Sequence, residues 1–228
     1  MFDIVVSATG LLVLSPLLAI VLFLVWRQDG HSPFYIGQRV ARGGSIFRML
    51  KIRSMVINAD RTGVQSTSAD DKRITPLGHF IRRYKLDEFS QLWNVLKGDM
   101  SLVGPRPNTL NGVAVYSCEE KRLLTVRPGI TDLASIVFSD EGEILKDRPN
   151  PDAAYDTLIR PWKSRLGLLY IDHRSFMIDI VLIWATIVGI ASRSRALEIV
   201  NSIIVRQGAA VELVDVCKRK RPLRSETT

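Results

Sequence analysis

Apolar and polar positions divide the chain into a greasy start, a mixed middle and a second apolar run near the end. Ile4 to Trp26 reads IVVSATGLLVLSPLLAIVLFLVW and holds no charged residue. As one helix it is about 35 Å long, enough for a bilayer core of about 30 Å, so a membrane segment is expected. Only Asp3 precedes it among charged side chains, with no basic leader and no small-residue cleavage site, so the segment is expected to be retained. Ser15-Pro16 falls in its middle, where a missing N–H and a ring clash cost about 3 kcal/mol in an unbroken helix. Two arrangements fit: a spanning helix that tolerates the proline with help from the Ser15 hydroxyl, and a broken, re-entrant helix that enters and leaves by one face. Arg27, Arg39, Arg42, Arg48, Lys51 and Arg53 follow, which puts that end in the cytoplasm. Charge does not decide the side of the N-terminal end.

After Trp26 the pattern shortens. Two strands are expected near Phe34–Ile36 and Ile46–Leu50, joined by a Gly43-Gly44 turn. Residues 58–72 read as a mobile surface loop. From Gly78 the period becomes helical: Phe80 and Tyr84 lie four apart, then Phe89, Leu92, Trp93 and Leu96 form one stripe that Gly98 stops. VRPGITDLASIV, from Val126, reads as a turn followed by a strand or short helix. EGEILKDRPNPD, from Glu141, reads as an irregular surface loop. Phe176–Ala191 is 16 residues with one acid, short for a span, and reads as an interfacial or core helix. The tail KRKRPLRSETT is expected to be disordered and attracted to anionic lipid. The domains are therefore 1–26 as the membrane helix, 27–191 as the catalytic body with interfacial helices, and 192–228 as an extension with no functional account.

Charge narrows the partners. The chain has 31 Lys+Arg against 23 Asp+Glu, a formal +8, which favours phosphates or an acidic membrane face. Nucleic acid is not expected, because the basic groups are not interleaved with aromatics for stacking. Cys118 and Cys217 are far apart and lack nearby His partners, so neither a disulfide framework nor a zinc site is indicated. His31, His79 and His173 are isolated and read as ordinary surface or packing residues. No Walker loop, GxGxxG or HExxH occurs. Candidate chemistry is concentrated in YKLDEFSQLWNVLKGDMSLVGPRP, where Asp87 and Glu88 follow Arg82, Arg83 and Lys85. Asp at a helix start is a common cap that needs no chemistry to explain it. What points further is the company: cations one turn before, then glycines beside Asp99 and Arg106, with Pro105 and Pro107 stiffening the loop. Ionised carboxylates among cations also suit magnesium held with phosphate ligands.

These motifs, in order, resemble the monotopic phosphoglycosyl transferases, the bacterial sugar transferases. The resemblance rests on the Ser15-Pro16 break, FYIGQRVARGGSIFRMLKIRSM, GHFIRRYKLDEFSQLWNVLKGDMSLVGPRP, RPGIT and SFMIDI, and covers roughly Phe2 to Ile190. It implies an α/β, mainly helical fold: a small cytoplasmic catalytic domain with an N-terminal re-entrant membrane helix and interfacial amphipathic helices, at the cytoplasmic face of the bacterial inner membrane. It implies transfer of a sugar 1-phosphate from a UDP-sugar to undecaprenyl phosphate with Mg2+. By the family mechanism Asp87 is the nucleophile, forming a covalent phosphosugar and releasing UMP. Asp87 would also meet the metal, Glu88 would position the metal or handle protons, and Lys51, Arg53, Arg82 and Arg106 would contact phosphates. A homo-oligomer is compatible with this reading. Many relatives carry Gly-Trp-Ala-Gln and an Asn-Gly-Arg element after RPGIT, where this chain reads TDLASIVFSDEGEIL, so the resemblance assigns no sugar-contacting residue there. The competing reading is a non-catalytic membrane-surface adaptor with Asp87 as a helix cap.

Overall fold

The computed structural model describes residues 1–219 and 223. Phe2–Asp29 forms one 28-residue helix, α1, closed by Gly30 in a left-handed conformation. Helix continues through Pro16, so the expected break is not an interruption of the helical backbone. The proline removes the N–H that would bond the Leu12 carbonyl four residues back, and the Ser15 hydroxyl supplies that bond instead, at 2.7 Å.

β1 (Phe34–Val40) and β2 (Ile46–Ile52) pair antiparallel from Phe34↔Ile52 to Val40↔Ile46, around the turn in which Gly43 and Gly44 both have positive φ. The strands extend beyond the predicted cores because Val40 and Ile52 are also buried. Residues 58–72 lie at the surface, but Arg73 ties them down: its guanidinium donates to the carbonyls of Ala59, Val64 and Ser66 and pairs with Asp71.

The helical stretch is three pieces: α2 (Pro76–Arg83), α3 (Leu86–Phe89) and α4 (Leu92–Leu96). Lys85, at φ 54°, makes the break, and of the predicted apolar stripes Phe80, Tyr84 and Trp93 are exposed while Leu92 is buried. β3 (Ser101–Val103) follows, then α5 (Leu110–Ala114) and β4 (Gly129–Thr131), which pairs parallel with β3. Asp132 caps α6 (Leu133–Val137) through a capping box with Ser135. The segment from Glu141, expected as an irregular loop, instead forms α7 (Glu141–Leu145) and enters α8 (Pro151–Leu158). Burial of Leu145 fixes the first and the Asn150 cap starts the second.

α9 (Arg160–His173) and α10 (Phe176–Ala191) complete the body. α10 buries Leu182 and Ala185 while exposing Phe176, Met177, Trp184, Ile187 and Ile190, so its outer face is apolar too. Within the segment expected as an extension, residues 193–218 pack on the body. α11 (Arg193–Arg206) and α12 (Val211–Lys218) add Leu197, Val200, Ile204, Leu213 and Cys217 to the same core as α4, α6 and α9. The KRKRPLRSETT tail, apart from Lys218, Arg219 and Leu223, lies outside the described residues. A second, smaller cluster joins Leu18, Val21 and Val25 of α1 to Ile52, Ile81 and Leu86, which seats the helix directly beneath the residue preceding Asp87.

Candidate active site

The turn at Lys85 presents Asp87 and Glu88 at the start of α3, with Leu86 buried toward α1 as the anchor. Asp87 is only 8 % exposed. Its Oδ2 accepts from Lys51 Nζ at 3.2 Å, and Oδ1 has no hydrogen bond among the described residues. Glu88 Oε1 accepts from Arg106 Nη2 at 3.1 Å. Burial alone would raise the Glu88 carboxyl, but Arg106 and the ammonium groups of Lys85, Lys51 and Lys163 outweigh it and hold it below the usual range. Arg106 also donates to the Ile130 carbonyl, so the proline-stiffened loop is fastened to β4. Arg82 donates through Nε to Ser54 Oγ at 2.9 Å; burial lowers its guanidinium, while the charges of Asp87 and Asp71 act the other way. Lys51, Arg82, Arg106, Asp87 and Glu88 thus form one group of charges.

Arg53 does not join it. Its guanidinium is buried, donating to Asp29 at 2.6 and 2.7 Å and through Nε to the Ser32 carbonyl at 2.9 Å. The phosphate contact expected of Arg53 is therefore replaced by a clamp on the end of α1, because nearly every donor is already engaged.

Three residues that sequence reasoning passed over hold the group together. Asn94 accepts from Leu50 N–H at 2.9 Å and donates to the Arg48 carbonyl at 2.8 Å, so its carboxamide pairs with β2 as a peptide unit would. It also donates to Asp99 at 3.1 Å. Ser90 donates its hydroxyl toward the carbonyls of Leu50 and Asp87, at 3.1 and 3.0 Å. Lys163, paired with Glu141 and set over the Tyr155 ring at 5.3 Å, brings α9 close enough for its charge to act on Glu88. Ser90 and Asn94 are polar and four apart, on one face of a helical run whose remaining members apart from Gln91 are apolar, which was the available signal; Lys163 had none.

Among the described residues no group of three or more His, Cys, Asp or Glu side chains could hold a metal ion alone. Magnesium shared with substrate phosphates needs only one or two carboxylates, and the adjacent acids Asp87 and Glu88 meet that requirement.

A mostly buried carboxylate with one oxygen held by an ammonium and the other unbonded, flanked by two guanidiniums, can attack a phosphorus whose oxygens those cations neutralise. Residues 1–193 match the bacterial sugar transferase family, and the chain belongs to that family and to the transferase class of enzymes. It is 41 % identical over 159 residues to the galactosyl transferase CpsE of Streptococcus agalactiae serotype III, covering 63 % of this chain and 35 % of that protein. It is 33 % identical over 210 residues to the UDP-galactose-lipid carrier transferase of Erwinia amylovora, covering 86 % and 40 %. It is 41 % identical over 147 residues to the undecaprenyl-phosphate galactose phosphotransferase of Salmonella typhimurium, covering 58 % and 31 %. The aligned part is thus two fifths or less of each of these relatives.

Proposed function

We propose that the chain transfers a sugar 1-phosphate from a UDP-sugar to undecaprenyl phosphate through an acyl phosphate on Asp87, and so begins a cell-surface glycan. The observation that carries this reading is the state of Asp87: buried, paired with Lys51 on one oxygen only, and adjacent to the Arg106–Glu88 pair. Family membership and the names of the relatives support the same substrates.

In the first step an Asp87 oxygen attacks the β-phosphorus, and the bond from that phosphorus to the bridging oxygen breaks. That oxygen leaves with UMP. In the second, an oxygen of the lipid phosphate attacks the same phosphorus and its bond to the Asp87 oxygen breaks, giving undecaprenyl diphosphosugar and the free carboxylate. No net proton is consumed. Lys51 and Arg106 hold the attacking group and the phosphoryl oxygens in line, and Ser54 keeps Arg82 facing the site. Asp87 and Glu88 are the residues that would hold magnesium, and the chemistry it would supply there is neutralisation of phosphate charge. Two steps let the soluble nucleotide leave before the lipid acceptor approaches.

The membrane placement proposed is re-entrant, at the cytoplasmic face of the inner membrane. Both ends of α1 are held by the catalytic body: Asp3 accepts from Ser101 Oγ at 2.6 Å, and Asp29 pairs with Arg53. Spanning would put those two ends on opposite sides of the bilayer, while both are held by the same body. Residues flanking Pro16 expose apolar surface, Leu12 most of all at 75 %.

Intact-mass spectrometry of the full chain in detergent, incubated with magnesium and a panel of UDP-sugars, tests the chemistry. A phosphosugar adduct on Asp87, UMP release, and loss of both in Asp87→Asn with unchanged circular dichroism are expected. An adduct on another side chain, or full turnover in Asp87→Asn, refutes the nucleophile; vesicle binding with no adduct from any donor supports the adaptor instead. Outside labelling of a cysteine at position 2 by an impermeant thiol reagent removes the re-entrant topology.

A further inference from the structure

A cavity of about 520 Å³ lies between β3, the 125–127 segment, the end of α9 and the start of α10, and none of the Asp87 group lines it. Arg42, Arg127 and Arg174 stand around it. All three are exposed, and none makes an ion pair or a side-chain hydrogen bond among the described residues. Arg53, Arg73, Arg106, Arg160 and Arg219, by contrast, are each paired with a carboxylate. Gathering unpaired guanidiniums at one hollow carries a repulsive cost that an anion relieves, and the planar fork of arginine suits phosphate oxygens. The N-terminus of the 16-residue α10 forms one wall, where helix amides favour negative charge.

Acids are present too, but engaged. Asp179 lines the cavity with Oδ1 accepting from Tyr170 Oη at 2.7 Å, and nearby Asp3 accepts from the lining Ser101. The three guanidiniums outnumber them.

The lining also has an apolar member facing outward. Phe176 is 59 % exposed and meets Phe2 of α1 edge to face, with ring centroids 5.1 Å apart. A soluble phosphate ligand has no use for exposed rings at the start of two apolar helices, whereas the first acyl carbons of a lipid do.

We infer that this cavity binds the phosphate headgroup of an anionic phospholipid, with Arg42, Arg127 and Arg174 around the phosphate and the Phe2–Phe176 pair against the chains. The inference rests on the membrane placement proposed above, and it gives the body a fixed contact with the lipid surface on the side of the α1 N-terminus, opposite in sequence to the Arg53–Asp29 clamp.

The test titrates the full chain in neutral detergent with dihexanoyl phosphatidylglycerol, dihexanoyl phosphatidylcholine and inorganic phosphate, counting bound ligand by native mass spectrometry. One saturable phosphatidylglycerol site is expected, weakened about tenfold or more in Arg127→Gln/Arg174→Gln. Arg148→Gln, exposed and outside the cavity, and Asp87→Asn should both bind as the parent does. Both cavity arginines are exposed, so an unchanged melting curve is expected and verifies folding of the double variant. Equal binding of phosphatidylcholine, undiminished binding by the double variant, or inorganic phosphate binding as tightly as the lipid would overturn the proposal. Incorporation into neutral-lipid nanodiscs reports membrane placement separately. No incorporation sinks both readings, while incorporation without phosphatidylglycerol selectivity sinks this one alone.

Discussion

Replacing Asn94 with Leu removes a carboxamide of similar volume, so the loss is of hydrogen bonds rather than packing. Three bonds go: from Leu50 N–H, to the Arg48 carbonyl and to Asp99. Asn94 is almost fully buried, and a buried donor or acceptor left without a partner costs about 1–3 kcal/mol. Leu50 is half-buried and Arg48 exposed, so water can reach the vacated strand groups in part, and the lower end of that range applies to each. The expected total is about 2–4 kcal/mol, or a fall in Tm of roughly 5–15 °C for a chain of this size. Activity should fall further than stability explains. Lys51 follows Leu50 directly and pairs with Asp87, so a strand edge that drifts by an ångström carries the ammonium off line, and a displacement of that size costs about 100-fold in kcat. Thermal unfolding by circular dichroism in neutral detergent and UMP release at a temperature where the variant remains folded measure the two effects. A Tm within about 1 °C of the parent together with unchanged kcat would refute the view that Asn94 fixes β2 against α4.

Two further outcomes follow from the same geometry. In Arg106→Met the leading influence that opposes burial at Glu88 is gone, so its carboxyl titrates higher. Because the parent carboxyl is depressed, its contribution is complete above the ordinary glutamate value and lost as pH falls through its lower folded value; raising the folded value closes that gap, so the acid loss of stability should be shallower in the variant, and acid limbs of equal depth would count against the Arg106–Glu88 assignment. In Gly78→Ala the added Cβ would lie 1.9 Å from the Ser54 carbonyl oxygen, so α2 or Ser54 must shift, and Ser54 holds Arg82. A loss of about 1–3 kcal/mol with a clear drop in kcat is expected, whereas Ser54→Ala should reduce kcat with a smaller change in unfolding midpoint; equal effects of the two on stability would show that Arg82 is not positioned this way.

Much of this was legible before folding because it depends on neighbours in sequence. The uncharged run of α1, the Gly43-Gly44 reversal and the bracketing of Asp87 and Glu88 by cations are local properties, set by side-chain solubility, backbone freedom and charge over a few residues. The order of the motifs carried the family. Errors came where burial from a distance overrode local polarity. EGEILKDRPNPD looks solvated, yet Leu145 finds the core and forms a helix there. Residues 192–228 look like an appendage, yet α11 and α12 bury Val200, Ile204 and Cys217 against the main core.

The same division holds for the site. By itself the sequence determined which residue types were available for phosphate chemistry and that they were concentrated around one acid pair. Only the tertiary structure decided their partners. Arg53, two residues from Lys51, turns away to Asp29, while Lys51 reaches Asp87 across 36 residues of chain. Spacing alone points the other way, because residues two apart in a strand share a face; β2 ends at Ile52, so Arg53 leaves the pleat and meets the end of α1 instead. α1 against the end of β2 and α4 against its edge together settle which cation becomes a clamp and which becomes part of the reaction group.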